Sequence, residues 1–333
     1  MPIEWRKGER QLHLYNDHIS YVMQVLASGT LAHLYFGSRL ATERDYGHLM
    51  RSSYIARYNQ VLDPVPLELP TAGSGDFRVP MLTVRHADGS TVLDLIYREH
   101  EIRPGKPYLD GLPSTYVDDP AEAETVEILL VDGNSSMRVQ LFTTIYTDRP
   151  VITRSMRVTN EGTSDVKLTT AMSASLDLPD SEWHLQQLVG AWARETHVVD
   201  APLVAGTRGV RSQRGSSGHQ QNPFLLLRRP WATEAAGEAI GMSLVYSGNF
   251  LAEVEVDSSE TVRARIGMDP ETIRWQITPG MDLQIPEAVL TWTDEGLGGI
   301  SDSYHRLYRE RLVSGSWRDR PRPVVLNSWE GVY

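Results

Sequence analysis

The chain has 333 residues, 41% hydrophobic and 23% charged, with no cysteine and a formal net charge of −11. A chain of this length and composition can bury a large core without cross-links. The missing cysteines exclude disulfides and thiolate chemistry, and the acidic balance argues against nucleic acid, whose phosphates need a basic field. The stretch MPIEWRKGERQLHL has no apolar h-region, and no run of about 18 apolar residues follows, so the expectation is a soluble cytoplasmic protein with no membrane partner.

Strand is the dominant local signal. Short β-branched runs, often alternating, occur within 84–97, at 125–131 (TVEILLV), 137–146 (MRVQLFTTIY), 151–160 (VITRSMRVTN) and 166–178 (VKLTTAMSASLDL). Turn residues such as Ala87-Asp88-Gly89, Asp132-Gly133-Asn134 and Asn160-Glu161-Gly162 separate them. The pattern continues at 222–229, 239–248, 251–257, 261–268 and 288–294. Many short strands at fairly even spacing predict a mainly β, antiparallel sandwich. Two stretches, 40–80 and 179–221, read as irregular loops, and long loops are candidates for binding or assembly.

One helix is expected, at 301–312, where Tyr304, Leu307, Tyr308 and Leu312 form an apolar stripe. Asp302 near its start and Arg309 and Arg311 near its end suit the helix dipole. Beyond it, residues 324–329 read as a lone strand with nothing in the chain to pair with.

General catalytic patterns are absent from the sequence: no phosphate-binding loop, no dinucleotide fingerprint and no His-Glu-x-x-His motif. The ten histidines are scattered, and the 43 acidic residues offer too many carboxylate pairs for composition to choose an acid and a base. Neither a metal nor a cofactor is expected.

Specific segments carry a resemblance. They are Tyr21-Val-Met-Gln24, Gly75-Asp-Phe-Arg78, Gly111-Leu-Pro-Ser-Thr-Tyr-Val117, Gly190-Ala-Trp-Ala-Arg-Glu195, Arg214-Gly-Ser-Ser-Gly-His-Gln-Gln-Asn-Pro-Phe224, Tyr246-Ser-Gly-Asn-Phe250 and Asn327-Ser-Trp-Glu330 with Tyr333. In this order, and across essentially the whole chain, they resemble the N-terminal portion of glycoside hydrolase family 36 α-galactosidases. The resemblance implies a large antiparallel β-supersandwich at 1–297, a helical linker at 298–323 and the first strand of a (β/α)8 catalytic barrel at 324–333.

The resemblance also implies a retaining α-galactosidase acting on terminal α-galactosyl residues of melibiose- and raffinose-type saccharides. Retention uses two carboxylates about 5–5.5 Å apart. In the family these are aspartates on later barrel strands, so the 333 residues are expected to lack them and to be inactive alone. Trp329 and Trp192 are the expected substrate-binding residues, since an aromatic face stacks on a sugar ring; the alternatives are barrel packing for Trp329 and a core or interface role for Trp192. Asp76, Arg78, Arg214 and His219 are possible substrate or interface residues, with a fixed turn or ion pair favoured for Asp76 and Arg78. Family members commonly form homo-oligomers in which an N-terminal loop reaches a neighbouring active site. The corresponding region, 45–57, reads Arg-Ser-Ser-Tyr at 51–54 where an acidic residue is expected, and Asp45 is the nearest acid. A stand-alone carbohydrate-binding or assembly module and a supersandwich sugar epimerase are the competing readings.

Overall fold

The structure is a computed structural model that describes residues 2–50, 62, 65–329 and 331. Its first sheet is a four-stranded meander of β1 (Ile3–Arg6), β2 (Gln11–Tyr15), β3 (Ile19–Val25) and β4 (Leu31–Ser38). The remaining strands, in chain order, are β5 (Leu82–Arg85), β6 (Leu95–Pro104), β7 (Ala123–Asp132), β8 (Met137–Tyr146), β9 (Val151–Asn160), β10 (Val166–Leu178), β11 (His184–Ala191), β12 (Arg194–Pro202), β13 (Gly206–Ser212), β14 (Phe224–Arg228), β15 (Ala239–Val245), β16 (Phe250–Val256), β17 (Val262–Met268), β18 (Trp275–Ile277), β19 (Asp282–Gln284) and β20 (Glu287–Thr293). One sheet has the order β13-β16-β17-β10-β18, with β5 also on β10. The largest has the order β12-β11-β14-β15-β20-β9-β8-β7-β6, with β19 also on β9.

Side-chain periodicity accounts for the layering. In β16, Phe250, Ala252, Val254 and Val256 are buried while Leu251, Glu253 and Glu255 are not, the alternation of a strand with one core face. From Ala171 onward β10 is buried on both faces, as expected of a strand enclosed by neighbouring layers. It packs against β9, β20 and β4, and one continuous hydrophobic core joins all three sheets. The strands expected at 137–146, 151–160 and 166–178 coincide with β8, β9 and β10.

Three expectations need correction. Residues 179–221 are not an irregular loop: they contain β11, β12 and β13. β12 is exposed along nearly its whole length, so no buried alternation marks it, and its ladder with β11 holds it in place. The helix α1 spans Gly296–Arg311, starting before residue 301, so Asp302 lies outside its first turn and pairs instead with Arg306 at 3.6 Å. Residues 321–328 form no strand, and Val324, Val325 and Leu326 are exposed; an apolar run needs a neighbouring ladder, and the described residues supply none. The apolar stripe of α1 does take its expected role: Tyr304 and Leu307 are buried, with Tyr308 and Leu312 packed beside them.

The described part of 40–80 is irregular apart from a short 3-10 turn at Gly47–Leu49. Residues 65–80 form a strap across the sheets whose backbone is satisfied by side chains as well as by strands. Leu67 N–H donates to Asp177 at 2.9 Å, Arg154 donates to the Glu68 carbonyl at 3.0 Å, and Val79 N–H donates to Glu255 at 2.7 Å. A covered loop must find such partners for its peptide groups.

Candidate functional site

The segments 190–195, 214–224 and 246–250 are distant in sequence but meet in space. β11 and β12 form a hairpin whose turn carries Trp192, with Ala193 in the left-handed region at φ 57°. The 214–222 loop folds back on this hairpin: Gly190 N–H donates to the Gln220 carbonyl at 3.0 Å, and Asn222 N–H donates to the Leu188 carbonyl at 3.2 Å. Its other side is fastened to the 246–250 segment, through Gly215 N–H to Asn249 Oδ1 at 2.7 Å and Ser217 N–H to the Ser247 carbonyl at 2.9 Å. Gly190 is required by close approach, because a Cβ there would lie 2.5 Å from the Arg194 carbonyl oxygen and 2.9 Å from that of His219.

Trp192 is 82% exposed at the hairpin tip, and Arg214 and His219 are exposed on the adjoining loop. His219 Nε2 lies 3.1 Å from the Gln220 side-chain amide. Trp329 is 68% exposed in the segment that follows α1. The structure therefore gathers Trp192, Arg214 and His219 on one hairpin and loop assembly. Of the region 45–57, residues 51–57 lie outside the described residues, as do Glu330 and Tyr333. Asp45 accepts from Gln11 at 2.9 Å and from Gly47 N–H at 2.8 Å.

Beside this assembly, the outer face of β11, β14 and β15 and the flank of α1 enclose a groove of about 870 Å³. Leu188, Phe224 and Leu226 line one wall, and Ile300, Tyr304 and Tyr308 line the other. Gly241 leaves room for the Tyr304 ring, which packs edge-on to Phe224 with centroids 5.6 Å apart. Burial raises the Tyr304 phenol well above its ordinary range and pushes that of Tyr308 up to about 12, so both stay protonated donors, to the Val289 carbonyl and to Ser243 Oγ. The 111–117 segment locks the far end of α1: Thr115 donates to Glu287 through N–H and Oγ1, both at 2.8 Å, while Tyr116 N–H donates to the Arg311 carbonyl at 2.9 Å. Lys106 pairs with the same Glu287 carboxylate.

Asp76 and Arg78 lie elsewhere, in a buried cluster of two cations and two anions. Arg78 Nε is 2.9 Å from Asp76, and Arg263 bridges Asp76 and Asp177 at 2.7 Å to each. Burial opposes the charge on Asp177, but the Arg263 and Arg78 guanidinium groups and the Leu67 N–H hold its carboxyl below the usual carboxylate range. Arg78 and Asp177 also line a cavity of about 260 Å³ with His33, Trp183 and Arg229.

A second buried network has no sequence signature. Both Glu68 carboxylate oxygens lie 2.8 Å from the Tyr21 hydroxyl, Arg154 approaches at 2.9 Å and His33 Nδ1 at 3.3 Å. Burial again opposes ionisation, yet Arg154 and His33 bring the Glu68 carboxyl below its ordinary value. The network's members, Tyr21, His33, Glu68 and Arg154, come from four separate regions of the chain, and no local pattern joins them. Among the described residues, no group of three or more His, Asp or Glu is placed to hold a metal ion.

Comparison with known proteins adds identity to this geometry. Residues 29–278 match a family model described as the glycosyl hydrolase family 36 N-terminal domain, and residues 282–333 match one described as melibiase. The chain is 43% identical over 340 residues to α-galactosidase AgaA of Geobacillus stearothermophilus, covering 100% of this chain and 47% of that protein. α-Galactosidase 1 of Pediococcus pentosaceus is 38% identical, with 98% of this chain and 46% of that protein covered. A crystal structure of an AgaA variant in complex with raffinose superposes with a TM-score of 0.93 at 44% identity, over 96% of this chain and 46% of that one. The Lactobacillus brevis α-galactosidase gives a TM-score of 0.94 at 34% identity, over 98% of this chain and 45% of that one. The chain spans about half the length of the curated relatives it matches.

Proposed function

The chain belongs to glycosyl hydrolase family 36 as its N-terminal part, and from that premise we propose that it serves a retaining α-galactosidase acting on terminal α-galactosyl residues of raffinose-type saccharides. The observation that carries this reading is the end-to-end likeness to α-galactosidases, at 43% identity over 100% of the chain. A relative crystallised with raffinose supports the substrate class.

In this reading the nucleophile and the acid/base are carboxylates of a barrel that packs beside the sandwich. A pair about 5–5.5 Å apart performs a double displacement: one attacks the anomeric carbon while the other protonates the leaving oxygen, and the second then deprotonates the hydrolytic water. Trp329 and Trp192 contribute indole faces to the walls of the sugar site, where stacking on the C–H face of a pyranose excludes water. The groove between β14, β15 and α1 is the seat for the adjoining barrel, since a large apolar recess on an otherwise polar surface marks a contact site. Assembly through the sandwich has support in β12, an edge strand carrying exposed Val198 and Val199. The cytoplasmic location belongs to the same proposal.

Hydrolysis of an aryl α-galactoside by the purified 333-residue chain tests the assignment of roles. No turnover is expected from these residues by themselves. Turnover at the level of the full-length relatives would place the catalytic carboxylates within this chain and overturn the proposal.

A further inference from the structure

β11 has a regular neighbour on its inner side over only part of its length. Its ladder with β14 covers His184, Leu185 and Gln186 and ends there. The outer part of β11 leads to the turn that carries Trp192, and among the described residues no strand continues beside it on that side. Residues 220–222 take the missing place. Val189 bridges to Gln221, Gly190 N–H donates to the Gln220 carbonyl at 3.0 Å, and Asn222 N–H donates to the Leu188 carbonyl at 3.2 Å.

The turn itself is stiff. Ala193 N–H donates to Glu195 Oε1 at 3.0 Å, and Ala191 pairs with Arg194 across the tip. Trp192 is exposed, so no packing of its own ring holds it. Its place is therefore set by how the hairpin is held as a body, and on the inner side that means by residues 220–222.

Those residues are in turn held by a side chain. Gln221 Oε1 accepts the Arg211 N–H at 2.7 Å. Arg211 belongs to β13, the edge strand of the other sheet, whose residues are in register with β16 from Gly206 to Ser212. The bond closes the loop between β13 and β14 at its neck, as in compact loops whose ends meet. Support thus runs from β13 through the Gln221 side chain to its backbone, and from there to the hairpin. A shorter side chain at 221 would pair with β11 but not reach β13, and an apolar one of equal length would leave the Arg211 N–H without its acceptor.

We propose that Gln221 is a positioning residue of the sugar site, fixing through residues 220–222 the place at which Trp192 meets the saccharide. The proposal rests on the reading that Trp192 walls that site.

The test uses the 333-residue chain labelled with fluorotryptophan. Of its eight tryptophan resonances, that of Trp192 is assigned by its disappearance in Trp192→Phe. Gln221→Met removes the acceptor and keeps the length. It is expected to shift or broaden the Trp192 resonance alone, and to speed hydrogen exchange at the Gly190 and Asn222 amides about tenfold, with a cooperative melt retained. Gln221→Glu keeps an acceptor oxygen and is expected to restore both the resonance and the protection. Gln213→Ala, on the same loop, leaves them unchanged. An unmoved Trp192 resonance in Gln221→Met, or the same change in Gln221→Glu, would overturn the proposal. So would movement of all eight resonances together, which marks general loosening rather than positioning. The readout needs neither saccharide nor turnover, so failure here leaves the α-galactosidase assignment, which is tested by hydrolysis, standing.

Discussion

Arg263 grips Asp177 in a two-pronged pair, with Nε and Nη2 each 2.7 Å from a carboxylate oxygen, and its remaining Nη1 holds Asp76 at the same distance. Three groups from β10, β17 and the 65–80 strap thus share one buried charge balance. Removing the cation alone leaves two buried carboxylates short of compensation, which typically costs about 3–5 kcal/mol. Arg263→Met is therefore expected to lower the urea midpoint by that amount of stability, with the denaturant slope unchanged. A midpoint shift below about 1 kcal/mol would mean that the cluster is solvated.

Acidification acts on the same elements. The folded-state carboxyls of Asp177 and Glu68 lie below their unfolded values, so their stabilisation is present above the unfolded range and is lost as pH falls through the folded values. Unfolded carboxylates titrate near about pH 4. Stability is expected to fall steeply below that pH, and Asp177→Asn, though less stable at neutral pH, should show a shallower decline. Urea midpoints measured across the acid range for both proteins check this.

His13 gives a separate pH signature. Its ring is buried between Ser20 Oγ, 2.8 Å from Nε2, and the Tyr46 hydroxyl, 3.0 Å from Nδ1. Burial, reinforced by the charges of Arg39 and Arg6, lowers its pKa to about 4. The unfolded imidazole binds its proton near about 6.5, so the unfolded state carries more protons between these values. Stability then declines as pH falls from about 6.5 to about 4, by about 3 kcal/mol at most. His13→Gln is expected to remove that slope from a plot of melting temperature against pH.

Gly190→Ala tests the union of the hairpin with the 214–222 loop. The added Cβ meets backbone on both sides, so the hairpin and loop must separate, at a cost of about 1–3 kcal/mol. Faster proteolysis within 214–222, with the rest of the chain intact, is the expected readout.

Leu307→Ala tests the docking of α1. Leu307 is fully buried against the outer face of the largest sheet, and loss of such a side chain costs about 2–5 kcal/mol. Hydrogen exchange should accelerate through Gly296–Arg311 before it does in β15 or β20.

The sequence by itself determined the sandwich strands that have one buried face, the apolar stripe of α1 and the family. Alternation and helical spacing are local properties, and β8, β9 and β10 fell where the pattern placed them. It also offered the residues of the three converging segments, though not their convergence. Tertiary structure decided the rest. β12 is a strand because β11 supplies its hydrogen bonds, whereas residues 321–328 are not, because none of the described residues beside them does. The Glu68 network and the Asp76–Arg78–Asp177–Arg263 cluster join charges far apart in the chain, and a charged side chain carries no local mark of whether it will be buried and paired. Only the fold sets Trp192 at the exposed tip of a hairpin, because exposure is a property of the packed molecule.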